Sequence, residues 1–315
     1  MNLKSWPGIP SPSTRAFINE GRRTSGYTFF DWIHGYIYSR WPYLYIGIAI
    51  GEHPLARVFK PFAALVDRLA TRPRPDAANR ITFADTYHGK VVLPEAAHQL
   101  VTLHHDVSLT NLEHVIPYAL ARDIVLKNPD HIVVLDCPCR ANRAHPCLPL
   151  DVCLIVGEPF ASFASEHNPR RSRWITADEA VEILRSEHER GHVHHAFFKD
   201  AMLGRFYAIC NCCSCCCGAM QAHRNGVPML ASSGYVARVD ATLCAACGTC
   251  ASYCQFRAIT VPDGHAVVDT TACMGCGVCV SHCPQAALSL VRDMSKSAPL
   301  ELDALLAGHP LRSGS

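Results

Sequence analysis

The spacing at which apolar residues recur changes along this chain, and each change marks an element. Leu112, Val115, Ile116, Ala119, Leu120 and Val125 recur near helical spacing. They predict a helix from Asn111 to Leu126 that tolerates Pro117 and ends at Asn128-Pro129-Asp130. Ile132 to Leu135 is a short apolar run, read as a buried strand leading straight into Asp136-Cys137-Pro138-Cys139-Arg140. Thr176-Ala177-Asp178-Glu179 carries a capping-box pattern. The helix it opens has Ala180, Val181, Ile183 and Leu184 as its apolar side and should stop at Gly191. Val193 to Phe198 and Arg205 to Ile209 read as strands, and the second again runs into cysteines. The mixture predicts an α+β domain from about Ala77 to Met229.

Upstream, neither period dominates. Tyr27 to Gly51 is crowded with Tyr27, Phe29, Phe30, Trp32, Tyr36, Tyr38, Trp41, Tyr43 and Tyr45. Its uninterrupted apolar run, Trp41 to Gly51, is 11 residues long, whereas a spanning helix needs about 20. No transmembrane segment is therefore expected. Two readings stay open: an aromatic region packed over the cysteine-bearing domains, or an element that docks on a partner or on a membrane interface. Leu55 to Ala70 reads as a weakly amphipathic helix kinked at Pro61, and Arg72-Pro73-Arg74-Pro75-Asp76 as a linker.

Composition narrows the class. A chain of 315 residues has room for about two domains. Its 29 Lys and Arg against 27 Asp and Glu give a formal charge of +2, which makes no case for a nucleic-acid partner. Eighteen cysteines are too widely spread over too long a chain for a disulfide scaffold. Met1 to Thr14 is polar and proline-rich, without the apolar stretch of a secretory signal. Arg22-Arg23 is followed by Asp31, His34 and Arg40, which suits an export signal poorly. Reduced thiols point to the cytoplasm, with a peripheral place on the inner face of the membrane as the alternative.

The cysteines supply the chemistry. C-x2-C-x2-C-x3-C occurs twice, as Cys244, Cys247, Cys250 and Cys254 and again, 29 residues on, as Cys273, Cys276, Cys279 and Cys283. The repeat extends to Asp240 with Asp269, Ala258 with Ala287 and Ile259 with Leu288. From about Tyr235 to Asp293 the chain resembles the bacterial ferredoxin family with two [4Fe–4S] clusters. In that pattern three cysteines of one loop bind one cluster and the fourth binds the other. The resemblance implies one cluster on Cys244, Cys247, Cys250 and Cys283, and a second on Cys273, Cys276, Cys279 and Cys254. Zinc is the competing occupant of C-x2-C pairs, but it rarely needs eight cysteines in an interlocked repeat. The second copy has Pro284 after its last cysteine and the first has Gln255. Gln255 could bring an N–H or side-chain donor to a sulfur and raise the nearby potential.

Ten further cysteines lie upstream: Cys137, Cys139, Cys147 and Cys153, then Cys210, Cys212, Cys213, Cys215, Cys216 and Cys217. The C-x-C-R and C-N-C-C-x-C-C-C motifs, followed by the ferredoxin module, resemble a type of iron–sulfur protein over about Val115 to Asp293. That resemblance implies electron transfer and supplies no substrate. Ten loose thiols would be an oxidation hazard, and soft thiolates select Fe–S clusters, zinc or Cu(I). One or two additional iron–sulfur clusters are the favoured occupants, with a structural zinc site or a reactive thiol group as alternatives. Arg140 would offset thiolate charge or else lie on the surface. The eighteen histidines read as core or solvated residues, and no C-x-x-C-H, P-loop, G-x-G-x-x-G or G-x-S-x-G is present.

Four regions result: an aromatic-rich N-terminal region (1–76), a cysteine-rich iron–sulfur domain (77–230), a two-cluster ferredoxin-like module (231–293) and a tail (294–315). The tail is short and polar apart from Leu300 to Leu306 and is expected to be a loose helix or disordered. The expected function is single-electron relay, with a redox protein or oxidoreductase complex as partner. A reductase subunit working through Cys210 to Cys217 and a metal-stabilised structural or docking protein are the alternatives.

Overall fold

The computed structural model describes residues 10–57 and 83–308. The expected helix from Leu55 to Ala70 lies outside the described residues from position 58 on, as does the linker at Arg72 to Asp76.

Three helices open the described chain. Helix α1 (Pro12–Arg23) is capped by Ser11, whose hydroxyl accepts from Thr14 N, and begins on a proline. Helix α2 (Phe29–Arg40) opens on a full capping box between Thr28 and Asp31. Helix α3 (Pro42–Ala49) follows directly.

The middle of the chain is one eight-stranded sheet with its connecting helices. In chain order these are α4 (Phe83–Thr86), β1 (Tyr87–Val91), α5 (Pro94–Val101), β2 (Val107–Leu109), β3 (Ile124–Asp136), α6 (Pro138–Ala141) and β4 (Asp151–Glu158). Then come α7 (Phe160–His167), β5 (Ser172–Ile175), α8 (Ala177–Glu189), β6 (Val193–Lys199), β7 (Arg205–Cys212), α9 (Gly218–Arg224) and β8 (Leu230–Ala231). The strand order is β2-β3-β4-β7-β6-β1-β8, with β5 also on β3, and every pair is antiparallel except β1 with β8.

Side chains alternate across the sheet. Ile132 and Val134 of β3 enter a core with Leu100, Leu184 and Phe198, while Val133 and Leu135 enter another with Phe17, Phe160 and Phe163. With both faces covered, central strands lose the polar half of the alternation. Strand β6 is buried throughout, and His194, His195 and Lys199 are buried with it. Helix α8 starts on Thr176, whose hydroxyl accepts from Glu179 N, and ends before Gly191 at φ +81°.

The helix expected from Asn111 to Leu126 does not form. Leu112, Val115 and Ile116 are fully buried, but they make a single turn closed by Ile116 N to Leu112 O at 2.7 Å. Pro117 then removes a donor, Asn111 and Ala121 take left-handed φ values of 61° and 53°, and Ile124 already belongs to β3. One turn of apolar residues followed by a strand had imitated a longer helical period. Asn128-Pro129-Asp130, expected to terminate that helix, sits in a bulge inside β3 between the registers at Lys127 and Ile132.

The C-terminal module is a pair of small ribbons. It contains β9 (Tyr235–Val239), α10 (Thr249–Tyr253), β10 (Ile259–Thr260), β11 (Val267–Val268), α11 (Val278–Ser281) and β12 (Leu288–Arg292). Strand β9 pairs with β12 and β10 with β11, both antiparallel. Gly275 is required here, because a Cβ at that position would lie 2.1 Å from the Tyr235 carbonyl oxygen.

The tail corrects another expectation. Helix α12 (Leu302–Gly308) opens on Leu302, which is buried in the first core together with Leu300 just before it. The buried Lys90 ammonium donates to Ser297 Oγ at 2.8 Å and to the Ala298 carbonyl at 2.7 Å. Residues 297–302 are therefore packed and hydrogen-bonded, not loose.

Candidate metal centres

The 29-residue offset of the C-terminal repeat persists in its hydrogen bonds. Ala237 N donates to Cys273 Sγ at 3.4 Å, and Ala266 N to Cys244 Sγ at 3.3 Å. Ala258 N donates to Cys254 Sγ at 3.2 Å, and Ala287 N to Cys283 Sγ at 3.3 Å. Asp240 N and Asp269 N reach across to the carbonyls of Ala287 and Ala258, each at 2.8 Å. Each repeat is thus closed by the other.

Two cavities result. One is lined by Cys244, Cys247, Cys250 and Cys283, walled by Val261, Ala266 and Leu288. The other is lined by Cys254, Cys273, Cys276 and Cys279, walled by Ala237, Phe256, Ile259 and Leu290. In each, three cysteines come from one repeat and the fourth from the other. All eight are free thiols. Residues 237–260 and 266–289 match the family model of the 4Fe-4S binding domain.

The C-terminal module is a 4Fe-4S binding domain. No curated protein matches the chain. The donor set suits the group: four sulfurs around an apolar cavity, with backbone N–H groups already aimed at two of them.

The two cavities of the 4Fe-4S domain differ in exposure. Cys247 is exposed, and hydrogen bonds from Thr249 hold its thiol below the usual range. Burial pushes the Cys276 thiol up to about 12 and raises Cys279 as well. The first cavity therefore reaches the surface at Cys247, whereas none of the four cysteines of the second is exposed.

Gln255 does not approach a sulfur through its side chain. Its amide nitrogen donates to the Gly191 carbonyl at 2.9 Å, and its amide oxygen accepts from Ser214 N at 2.8 Å. The departure from proline therefore ties the 4Fe-4S domain to the end of α8 and to the cysteine turn 213–217. Gly191 also lies against this domain, since a Cβ there would fall 2.5 Å from Tyr253 Cδ1. Gln255→Ala removes both bonds and should cost about 1–3 kcal/mol in local stability. Amide exchange at Ser214 should then accelerate by roughly five- to 150-fold, with β9 and β12 unaffected. Unchanged exchange at Ser214 would show that the bridge contributes nothing.

The fold re-sorts the ten upstream cysteines into four and six. Cys147, Cys213, Cys215 and Cys216 have all four sulfurs within 4.8 Å of one another. Cys153 and Cys210 face each other across β4 and β7 at 3.5 Å, and Cys212 meets Cys217 at 3.2 Å. Cys139 is hydrogen-bonded to both Cys137 and Cys217 and receives Gly218 N at 3.5 Å. Strand alternation explains the split: Cys210 and Cys212 share a face of β7, and Cys213 begins the turn that leaves it. The hydrogen bond with Cys139, together with burial and the neighbouring Cys153, drives the Cys137 thiol well above its usual range.

Arg140 is neither on the surface nor free to serve thiolates alone. It is 1% exposed and donates to Glu187, to the Pro149 carbonyl at 2.6 Å and to the Asn211 carbonyl at 3.0 Å. His192 Nδ1 lies 2.6 Å from Glu187 Oε2. Asn211, between Cys210 and Cys212, points its amide to the other face, donating to the Val152 carbonyl at 2.8 Å and lying 2.6 Å from His194 Nδ1. This buried polar layer fixes β7, the strand that carries Cys210 and Cys212 of the six thiols. The sequence signals for it were Arg140 after the C-x-C pair and the histidines His188, His192 and His194 beside a run of apolar strand residues. Among the described residues, no histidine joins a group of three or more ligating side chains.

The aromatic region does cover this site. Tyr43 Oη donates to the Asp136 carbonyl at 2.9 Å, Tyr38 and Tyr207 share a hydrogen bond of 2.7 Å, and Asn142 donates to the Tyr43 carbonyl at 2.9 Å. Its outer side leaves Phe29 68% and Phe30 71% exposed, with Trp41 and Leu44 also exposed. Among the described residues no helix is long and apolar enough to cross a membrane.

Proposed function

We propose that this protein relays single electrons through iron–sulfur clusters. The observation that carries the reading is the pair of cavities in the 4Fe-4S domain, each lined by three thiols of one repeat and one of the other. When bound, [4Fe–4S] cubes supply reversible one-electron chemistry. Cys244, Cys247, Cys250 and Cys283 would hold one, and Cys254, Cys273, Cys276 and Cys279 the other. The chain's own part is to bind, to exclude water with the apolar walls, and to donate from Ala237, Ala258, Ala266 and Ala287 N–H groups. Such donors draw charge from sulfur and raise the potential. The exposed Cys247 side favours exchange with a redox partner, and the Gln255 bridge favours passage inward to the upstream cysteines.

The six thiols Cys137, Cys139, Cys153, Cys210, Cys212 and Cys217 would hold a further iron–sulfur cluster. Their buried position and the Arg140 layer support that reading. The close Cys153–Cys210 and Cys212–Cys217 contacts favour a second one, a reductase subunit with a working dithiol. Cys212→Ser separates them. In the relay, the variant loses only iron and sulfide beyond eight of each, keeps both C-terminal spectra, and passes electrons more slowly to its partner. If the variant keeps all iron and instead loses a titratable disulfide, the dithiol reading replaces the cluster.

The exposed Phe29, Phe30 and Trp41 favour a docking face for a redox protein. Deleting residues 1–75 should release that partner; clusters that merely become air-labile would leave the region a cover alone.

A further inference from the structure

The four thiols set apart from the six have a geometry of their own. Cys147 Sγ lies 3.2 Å from Cys215 Sγ, Cys215 Sγ lies 3.6 Å from Cys216 Sγ, and the whole set including Cys213 falls within 4.8 Å. A tetrahedral ion with metal–sulfur bonds of about 2.3 Å sets its sulfurs about 3.8 Å apart along each edge. A [4Fe–4S] cube cannot accept four sulfurs that all lie within 4.8 Å of one another, a condition that the six-thiol group does not meet. Each of its thiolates sits on a different iron, so the four sulfurs stand off separate corners, well beyond contact. Among the described residues no other group of three or more His, Cys, Asp or Glu ligand atoms is drawn this close. The quartets of the 4Fe-4S domain line cavities instead.

We infer that Cys147, Cys213, Cys215 and Cys216 bind a single divalent metal ion of the zinc or ferrous class in a closed tetrathiolate site. Nothing in this depends on the clusters described above. The sequence places three of the ligands in one turn, Cys213 to Cys216, closed by Cys217 N to the Cys213 carbonyl at 3.1 Å. Cys147 enters from the α6–β4 connection, with its own N–H donating to Cys216 Sγ at 3.5 Å. Cys213 and Cys216 are buried while Cys215 is exposed, so an ion could reach the site from the Cys215 side.

The surroundings hold the turn in this shape. Arg143 donates from Nε and Nη2 to the Cys216 carbonyl at 3.2 and 3.1 Å, and from Nη2 to Gln221 Oε1 at 2.7 Å. Its Nη1 pairs with Glu52 at 2.6 Å, and Arg224 donates to the Ser214 carbonyl. Two guanidinium groups thus flank a site that becomes dianionic on binding. In the binding step four S–H bonds break, four metal–sulfur bonds form and four protons leave to solvent; no electron changes hands. All four positions are filled by protein, which is the structural form of such a site and leaves no place for substrate. Ser214, inside the turn, is the residue that Gln255 holds, so the ion would rigidify the seam between the sheet and the 4Fe-4S domain.

The test uses the full chain, purified anaerobically, with zinc, iron and acid-labile sulfide counted together. Cys215→Ser should lose one zinc or one iron per chain and no sulfide, and Cys215→His should retain that ion. Loss of several iron atoms with matching sulfide would overturn the inference in favour of a cluster. An unchanged metal count would overturn it outright. X-ray absorption of the unaltered protein gives a reading that does not require the variants to fold. Where the ion is zinc, its edge should show one shell of four sulfurs at about 2.3 Å, and nitrogen or oxygen neighbours there would contradict a tetrathiolate. Where it is iron, the count on Cys215→Ser decides.

Discussion

Cys283→Ala is expected to damage the cluster held by the other repeat's cysteines and to spare the one nearer in sequence. Cys283 shares its cavity with Cys244, Cys247 and Cys250, not with Cys273, Cys276 and Cys279. Removing it leaves three thiols and an Ala287 N–H with no sulfur to serve. Iron and sulfide should fall by up to four each, or to a three-iron remnant with its own EPR signature. The signal from the deeper site, which draws its fourth sulfur from Cys254, should persist. Cys254→Ala should give the mirror result. If Cys283→Ala abolished the deeper signal and preserved the exposed one, the crossed assignment would be wrong.

Glu187→Gln should be the most destabilising conservative change outside the cysteines. Glu187 is fully buried and its carboxylate faces Arg140, Arg190 at 3.1 Å and His192 at 2.6 Å. Glutamine keeps the shape and removes the charge, leaving the Arg140 guanidinium buried beside a neutral amide. Breaking a buried pair from one side costs about 3–5 kcal/mol, a large part of the roughly 5–15 kcal/mol that holds a domain folded. A denaturant midpoint should drop accordingly, and the six-thiol group should lose metal. The pH dependence has a definite sign. Burial raises the Glu187 carboxyl, but the hydrogen bond from His192 and the Arg140 charge outweigh it and hold the group below its ordinary 4.5. Its stabilisation is therefore complete above pH 4.5 and fades below it. The gap between unaltered protein and variant should narrow only in that acid range. A gap of under about 1 kcal/mol at neutral pH, the size of an exposed pair, would remove Arg140 and Glu187 from the support of the cysteine strand.

The sequence was most legible where spacing alone carries geometry. The doubled C-x2-C-x2-C-x3-C repeat led to a module whose hydrogen bonds keep the same 29-residue offset. Helix α8 and strands β6 and β7 were readable because a cap, a glycine and a run of β-formers agree locally. Residues 111–126 were misread, because Leu112, Val115 and Ile116 satisfy one helical turn and Pro117 ends it. The split of ten cysteines into four and six was not legible. It depends on Cys147 crossing to the 213–216 turn and on Cys153 pairing with Cys210 across strands, both of them long-range contacts. Gln255 was noticed as a departure, yet its partners Gly191 and Ser214 come from elements that only the tertiary fold brings near. The tail reads as polar apart from Leu300 to Leu306, and its order depends on a long-range anchor, the Lys90 hydrogen bonds to Ser297 and Ala298.

Two redox-active cubes on the C-terminal thiols would bring iron, sulfide and a paramagnetic reduced state with them. Anaerobically purified protein, analysed for iron and acid-labile sulfide and then reduced for EPR, tests for them directly. The expected result is brown protein with at least eight iron and eight sulfide per chain, and a reduced spectrum broadened by interaction between two neighbouring [4Fe–4S]⁺ centres. Colourless protein, with metal bound but neither sulfide nor an EPR signal on reduction, would contradict their presence.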